Sequence, residues 1–185
     1  SILSGRHSVR SARMRCGRNF FSATLVLILD AYGTMQTVEN TDIMGKKVAD
    51  QLVETICRAG IRRIYAVTGD SLNEVNDAVR RAGTVRWVHM RHEESGAFAA
   101  AAEAELNGIA CCAGSSGPGH VHLINGLYDA HRSNCSVLAI ASTCPSDQFG
   151  TGYFQETDPI RLFDDCSGYN QMAVTPAQFA RMLPA

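Results

Sequence analysis

Two short runs constrain this chain most. Ile109–Gly114 reads IACCAG and Ser136–Ser142 reads SVLAIAS, both apolar through their centres. Successive side chains of a strand point to opposite faces. A strand apolar on both faces needs cover on both, which a parallel sheet between two helical layers supplies. The flanking segments fit that plan. In KKVADQLVETICRAG, Val48, Leu52, Ile56 and Ala59 share a helical face, Val53 lies beside them, and Gly60 marks the stop. A β-rich stretch follows, Ile64 to Thr68. Next comes SLNEVNDAVRRAG, which opens on a capping-box pattern, Ser71-x-x-Glu74, turns Leu72, Val75 and Val79 to one side and closes at Gly83. VRWVHM reads as a strand. RHEESGAFAAAAEAELNG reads as a helix that ends at Asn107-Gly108, and HVHLINGLYDAHR as one helix with Leu123, Leu127 and Ala130 on its apolar face. Beyond Thr143 the chain turns polar and loop-like, with a short helix over Pro159–Asp165. Thr175-Pro176 reads as an N-cap with proline at the first helical position. Strand and helix alternate, so the fold class is α/β, a parallel sheet sandwiched by helices with right-handed crossovers. The sequence carries no internal repeats, and Ala185 falls about two turns into the last expected helix, as if the domain were cut short there.

Composition narrows the function classes. The chain has 185 residues, is 45% hydrophobic and 19% charged, and has a formal net charge of −1. No basic surplus argues for nucleic acid, and no acidic surplus for a disordered chain. Seven cysteines without a C-x-x-C pair, most of them in apolar runs, read as buried thiols in a reducing compartment. Residues 1–43 read as an arginine-rich leader or a non-native extension, with the domain over 44–185. Arg6, Arg10, Arg13, Arg15 and Arg18 precede the first acid, Asp30. The apolar run Ala23–Leu29 is too short to span a membrane. A presequence or a secretory signal has this general look, and Met35 or Met44 would serve as a start. Residues 1–34 are set aside from the fold on this reading.

Ligands of open parallel sheets gather at the carboxyl ends of the strands. Three strand-to-helix segments should meet on that rim: Thr68–Ser71, Arg91–Glu94 and Gly114–Gly119. The glycine-rich GSSGPG admits three readings: an anion site at a helix N-terminus, a tight turn, or close approach of bare backbone to a flat ligand. It lacks the Gly-Lys-Ser/Thr ending of a P-loop, and its serines stand outside a G-x-S-x-G frame. His120 and His122 are two apart and face different ways on a helix, which argues against a metal site between them; no metal site is expected. Glu93 heads the stripe Ala97, Ala100, Ala104, joined by Gly96 and Ala99. Such small residues suit tight packing. Glu93 is then either an acid at a helix N-terminus or, at the buried edge of the stripe, an acid/base group that needs a donor or is pushed up by desolvation.

Taken together, RRIYAVTGDSLNEVNDAVRRAGTVRWVHMRHEESGAFAAAAEAELNG, CCAGSSGPGHVHLINGLYDAHRSNCSVLAIAS and GTGYFQETDP closely resemble the N-terminal domain of thiamine-diphosphate-dependent pyruvate oxidases, the quinone-linked pyruvate dehydrogenases among them. The resemblance covers about Met44 to Ala185. It implies the pyrimidine-binding domain of the thiamine-diphosphate-binding fold. It also implies that Glu93 hydrogen-bonds N1′ of the aminopyrimidine. Gly69 would lie near the thiazolium, and Gly117, Pro118, Gly119 and Asn125 would shape the wall beside the pyrimidine. Phe154 and Gln155 would line the substrate pocket, while His92 and Glu94 would be structural neighbours.

By the same resemblance, the diphosphate with its Mg²⁺ belongs to another domain with a Gly-Asp-Gly…Asn motif and FAD to a middle domain, neither matched here. The phosphate reading of GSSGPG gives way accordingly. The implied reaction converts pyruvate to acetate and CO₂, electrons passing through FAD to a quinone. The implied assembly is a dimer or tetramer. The expected location is cytoplasmic, with peripheral membrane contact of the complete enzyme. This chain by itself is expected to be inactive and to bind the cofactor weakly or not at all, which calorimetry with Mg²⁺ would test. The alternatives are an acetolactate synthase-like or 2-keto acid decarboxylase fragment, or a stand-alone α/β interaction module.

Overall fold

Apolar spacing becomes layer assignment in the computed structural model, which describes residues 25–30 and 46–182. Helix α1 (Val48–Arg58) buries Val48, Ala49, Leu52, Val53 and Ile56. Ala59, expected on that face, is instead an exposed cap, because the helix ends one residue earlier. Strand β2 (Arg63–Ala66) leads through a 3₁₀ turn, Asp70–Leu72, into α2 (Asn73–Ala82). Gly83 closes α2 in the left-handed region at φ 63°, donating its N–H to the Val79 carbonyl. Strand β3 (Arg86–His89), helix α3 (Glu93–Asn107) and strand β4 (Ala110–Gly114) follow.

The segment expected as one helix after the glycine loop is two: α4 (Pro118–Val121) and α5 (Ile124–Arg132). Leu123, Leu127 and Ala130 are buried as their spacing predicts. Next come β5 (Val137–Thr143), α6 (Pro159–Leu162), a 3₁₀ turn at Asp164–Cys166, β6 (Tyr169–Ala173) and α7 (Pro176–Met182). The Thr175 hydroxyl accepts the Gln178 N–H at 3.3 Å, the N-cap read from Thr175-Pro176.

The sheet has six strands, all parallel, in the order β3-β2-β4-β5-β1-β6. Strand β1 is Leu25–Asp30, inside the segment set aside from the fold. It pairs with β5 (Leu25 opposite Leu138) and with β6 (Leu25 opposite Tyr169). The run is too short for a membrane span, but six residues are the usual length of a buried strand. Val26 and Leu27 are both buried, on opposite faces. Strand β6 was also missed: YNQMA lacks an apolar run, and only Ala173 is fully buried.

One layer packs α1, α2 and α7 against Ile64, Ala66, Cys111, Ala113 and Ile140. The other packs α3, α5 and Phe163 against Ala110, Cys112, Ala139 and Ala141. Alternate residues of β4 therefore enter opposite cores, which is why IACCAG has no polar side chain. Burial pushes the Cys112 thiol up to about 12 and raises Cys111 as well, so both stay protonated. Among the described residues no helix is long and apolar enough to cross a membrane.

Candidate functional site

The rim at the carboxyl ends of β2, β3, β4 and β5 is tied together by hydroxyls. The Ser142 hydroxyl, near the end of β5, donates to the Gly114 carbonyl at 3.3 Å. It accepts from the Ser71 hydroxyl at 2.7 Å, which in turn accepts the Ser116 N–H at 3.0 Å. Ser71 thus spends its oxygen across the rim and caps nothing, and Glu74 pairs with Lys47 at 2.9 Å. The capping-box expectation fails because these longer-range partners outcompete the local one. The three strand-to-helix segments do share one rim.

Bare backbone brings them into contact. A Cβ on Gly69 would stand 2.4 Å from Ser115 Cβ. One on Gly114 would stand 2.5 Å from the Gly119 carbonyl oxygen, so the end of β4 sits directly on the start of α4. One on Gly119 would meet Ser115 Oγ at 2.5 Å and Glu93 Oε1 at 3.4 Å. Gly117 has φ 64°, and its missing Cβ leaves room for Gln155, whose own φ is 62°. Both residues occupy the left-handed region, which costs a non-glycine residue energy. The Gln155 side-chain oxygen accepts from the Ser116 hydroxyl at 3.3 Å.

Glu93 is the first residue of α3 and is 8% exposed. A carboxylate only accepts, so the bond of 3.0 Å between its Oε2 and His122 Nδ1 has the imidazole N–H as donor. The donor that a buried acid requires is therefore a histidine from the turn after α4. Oε1 faces the Gly119 backbone. His92 caps α3, its Nδ1 accepting the Glu94 N–H at 3.3 Å, and its ring stacks on His122 with centroids 4.4 Å apart. Glu94 accepts from Asn125 Nδ2 at 3.1 Å.

The expected site residues divide accordingly. Glu93, Gly69, Gly117 and Gly119 meet around Ser115 and Ser116. Gln155 joins through Gly117, and Asn125 reaches the cluster through Glu94 rather than Glu93. Pro118 is the exposed first residue of α4. Phe154 stands apart, 79% exposed. Its turn is held by the Glu156 carboxylate, which accepts the N–H groups of Gly150, Gly152 and Tyr153; these bonds, that from Gly150 above all, hold the acid below its ordinary range. Sequence reasoning missed His122 as the partner of Glu93. Its spacing from His120 only said that the two diverge. They do: His120 is fully buried, with Nδ1–H donating to the Ser142 carbonyl at 2.8 Å and Nε2 accepting from the Thr157 hydroxyl at 2.6 Å.

A buried carboxylate at the rim, one of its oxygens engaged by His122 and the other not, suits a heterocycle that donates a hydrogen bond. Residues 46–162 match the family described as thiamine pyrophosphate enzyme, N-terminal TPP binding domain. Among curated proteins, the chain is 56% identical over 138 residues (74% of this chain, 35% of the relative) to an uncharacterized 42.6 kDa protein of Pseudomonas amyloderamosa. It is 41% identical over 131 residues (69% and 23%) to YdaP of Bacillus subtilis, a putative thiamine pyrophosphate-containing protein. It is 34% identical over 151 residues (80% and 24%) to the pyruvate oxidase of Lactiplantibacillus plantarum. The chain thus spans about a quarter to a third of the length of these relatives. With the match to residues 46–162 and a parallel α/β sheet of the expected kind, the chain belongs to the thiamine pyrophosphate enzyme family, as its N-terminal, TPP-binding domain.

Proposed function

We propose that this domain holds the aminopyrimidine end of thiamine diphosphate through Glu93, within an enzyme that oxidatively decarboxylates pyruvate to acetate and CO₂. The observation that carries the reading is the second oxygen of Glu93. Oε2 is engaged by His122, whereas Oε1 looks over the bare backbone of Gly119. A planar ring reaching that edge would present its N–H to Oε1, the oxygen that His122 does not engage. When bound, thiamine diphosphate supplies the electron sink for cleaving a 2-keto acid.

The chain's own part is to hold a proton acceptor in place and keep water from it. His122 fixes the carboxylate plane, and the small residues behind Glu93 exclude water and raise the strength of its hydrogen bonds. Gly69 and Gly119 let Ser115 pack close, Gly117 makes room for Gln155, Pro118 starts α4, and Asn125 braces α5 against Glu94. Gln155, pinned by Ser116, and Phe154 on its exposed turn would form the substrate side once the rest of the protein is in place. The Mg²⁺ and FAD of this reading would be held by parts of the enzyme beyond these residues, as would the quinone contact. A dimer or tetramer built on this domain completes the proposal. Pyruvate as substrate draws support from the printed name of the Lactiplantibacillus plantarum relative.

The test is Glu93→Gln in the complete gene product. Glutamine keeps the shape but turns an anionic acceptor into a neutral one. Turnover of pyruvate should fall by roughly 10²–10⁴-fold with the circular dichroism spectrum unchanged. Turnover within threefold of wild type would remove Glu93 from the role. Product analysis separates acetate from acetolactate, and acetolactate as the main product would reassign the enzyme.

A further inference from the structure

Two half-exposed histidines stand beside Glu93, and neither is placed against the pyrimidine itself. One nitrogen from each of His92 and His122 and one carboxylate oxygen of Glu93 lie within 4.8 Å of one another. The imidazoles are open to solvent, their side chains 46% and 41% exposed, while Glu93 is buried. We propose that His92, Glu93 and His122 form a site for one divalent transition-metal ion of the zinc type, and that this ion and the cofactor's pyrimidine weaken each other's binding through the shared charge of Glu93.

The donor set selects the metal. Two imidazole nitrogens and one carboxylate oxygen suit zinc and its neighbours, whereas magnesium takes oxygen ligands and keeps its waters. Geometry supports it as well. Ligand atoms about 2.1 Å from a tetrahedral ion stand about 3.4 Å apart. His122 Nδ1 and Glu93 Oε2 are already 3.0 Å apart, so an ion replaces the proton between them with a few tenths of an ångström of movement. His92 then closes by rotating its exposed ring, giving up its long bond to the Glu94 N–H. Three protein ligands leave the fourth position to water, and a neutral His122 ligates through Nδ1 by carrying its proton on Nε2 instead. His120 takes no part, since both its nitrogens are engaged in the core.

Coupling to the cofactor rests on the reading of Glu93 given above: the ion takes Oε2 and leaves Oε1, but it withdraws the negative charge on which a ring N–H at Oε1 depends. Zn²⁺ titrated into the full chain by calorimetry should bind at one equivalent, and Mg²⁺ should give no heat of binding. His92→Asn and His122→Asn should each weaken Zn²⁺ at least tenfold; a smaller loss in both overturns the site. X-ray absorption of the zinc-loaded wild-type chain guards against variants that misfold. A nitrogen and oxygen shell at about 2.0 Å is expected, and a sulfur shell at about 2.3 Å moves the ion to cysteine and overturns the proposal. In the complete gene product, saturating thiamine diphosphate should weaken Zn²⁺ at least tenfold. Unchanged affinity with an intact nitrogen and oxygen shell overturns this coupling and counts against the reading of Glu93. Tight cofactor binding by a protein that takes up no zinc overturns the metal site alone.

Discussion

His120 and His122 stand two residues apart and have opposite surroundings. His120 is sealed under the rim as a neutral ring, donating to Ser142 and accepting from Thr157. Burial pushes its pKa down, partly opposed by the bond to the Ser142 carbonyl. The unfolded chain takes up this proton near pH 6.5, so below that pH the unfolded state binds more protons than the folded one. Stability should therefore fall with pH from about 6.5 down to the depressed folded value. The urea midpoint measured between pH 7.5 and 5.5 should drop less in His120→Gln than in wild type. His120→Ala should cost roughly 3 kcal/mol, the sum of a cavity and two stranded polar groups. Periodicity alone identified two histidines on different faces. Which one was core and which one met Glu93 depended on Thr157 and Ser142, residues far along the chain.

Helices α3 and α5 are joined by their smallest residues. A Cβ on Gly126 would stand 2.5 Å from Ala97 Cβ and 2.7 Å from the Phe98 nitrogen. The alanine stripe below Glu93 was legible as a tight-packing face, and α5 is the element that fills it. Alanine favours a helix over glycine by about 1 kcal/mol, so propensity predicts that Gly126→Ala stabilises. Overpacking against backbone costs about 1–3 kcal/mol, so the structure predicts a lower melting temperature. A thermal melt of the variant decides between them, and a rise would refute the close approach. The Ser71-x-x-Glu74 motif makes the converse point: a local capping pattern predicted an element start correctly to within two residues, yet its hydroxyl belongs to a network between β5 and the glycine loop.

Across the whole molecule, β1 divides β5 from β6 and supplies Val26 and Leu27 to the two cores. A chain that begins at Met35 would leave facing edges of β5 and β6 without partners and two apolar side chains unreplaced, each worth about 1.5–3 kcal/mol of burial. Deleting residues 1–34 should lower the melting temperature and promote self-association through the open edges, read by calorimetry and light scattering. An unchanged melt would mean that β1 contributes nothing to the sheet. Local apolar patterning determined the class of fold, the helix faces and the meeting of three loops on one rim, because periodicity and glycine placement act within a few residues. Strand order, the place of Leu25–Asp30 between distant strands, and the pairing of Glu93 with His122 were decided by tertiary structure alone. Each is a contact between segments far apart in the chain, and no short-range pattern encodes which partner satisfies a buried polar group or an open strand edge.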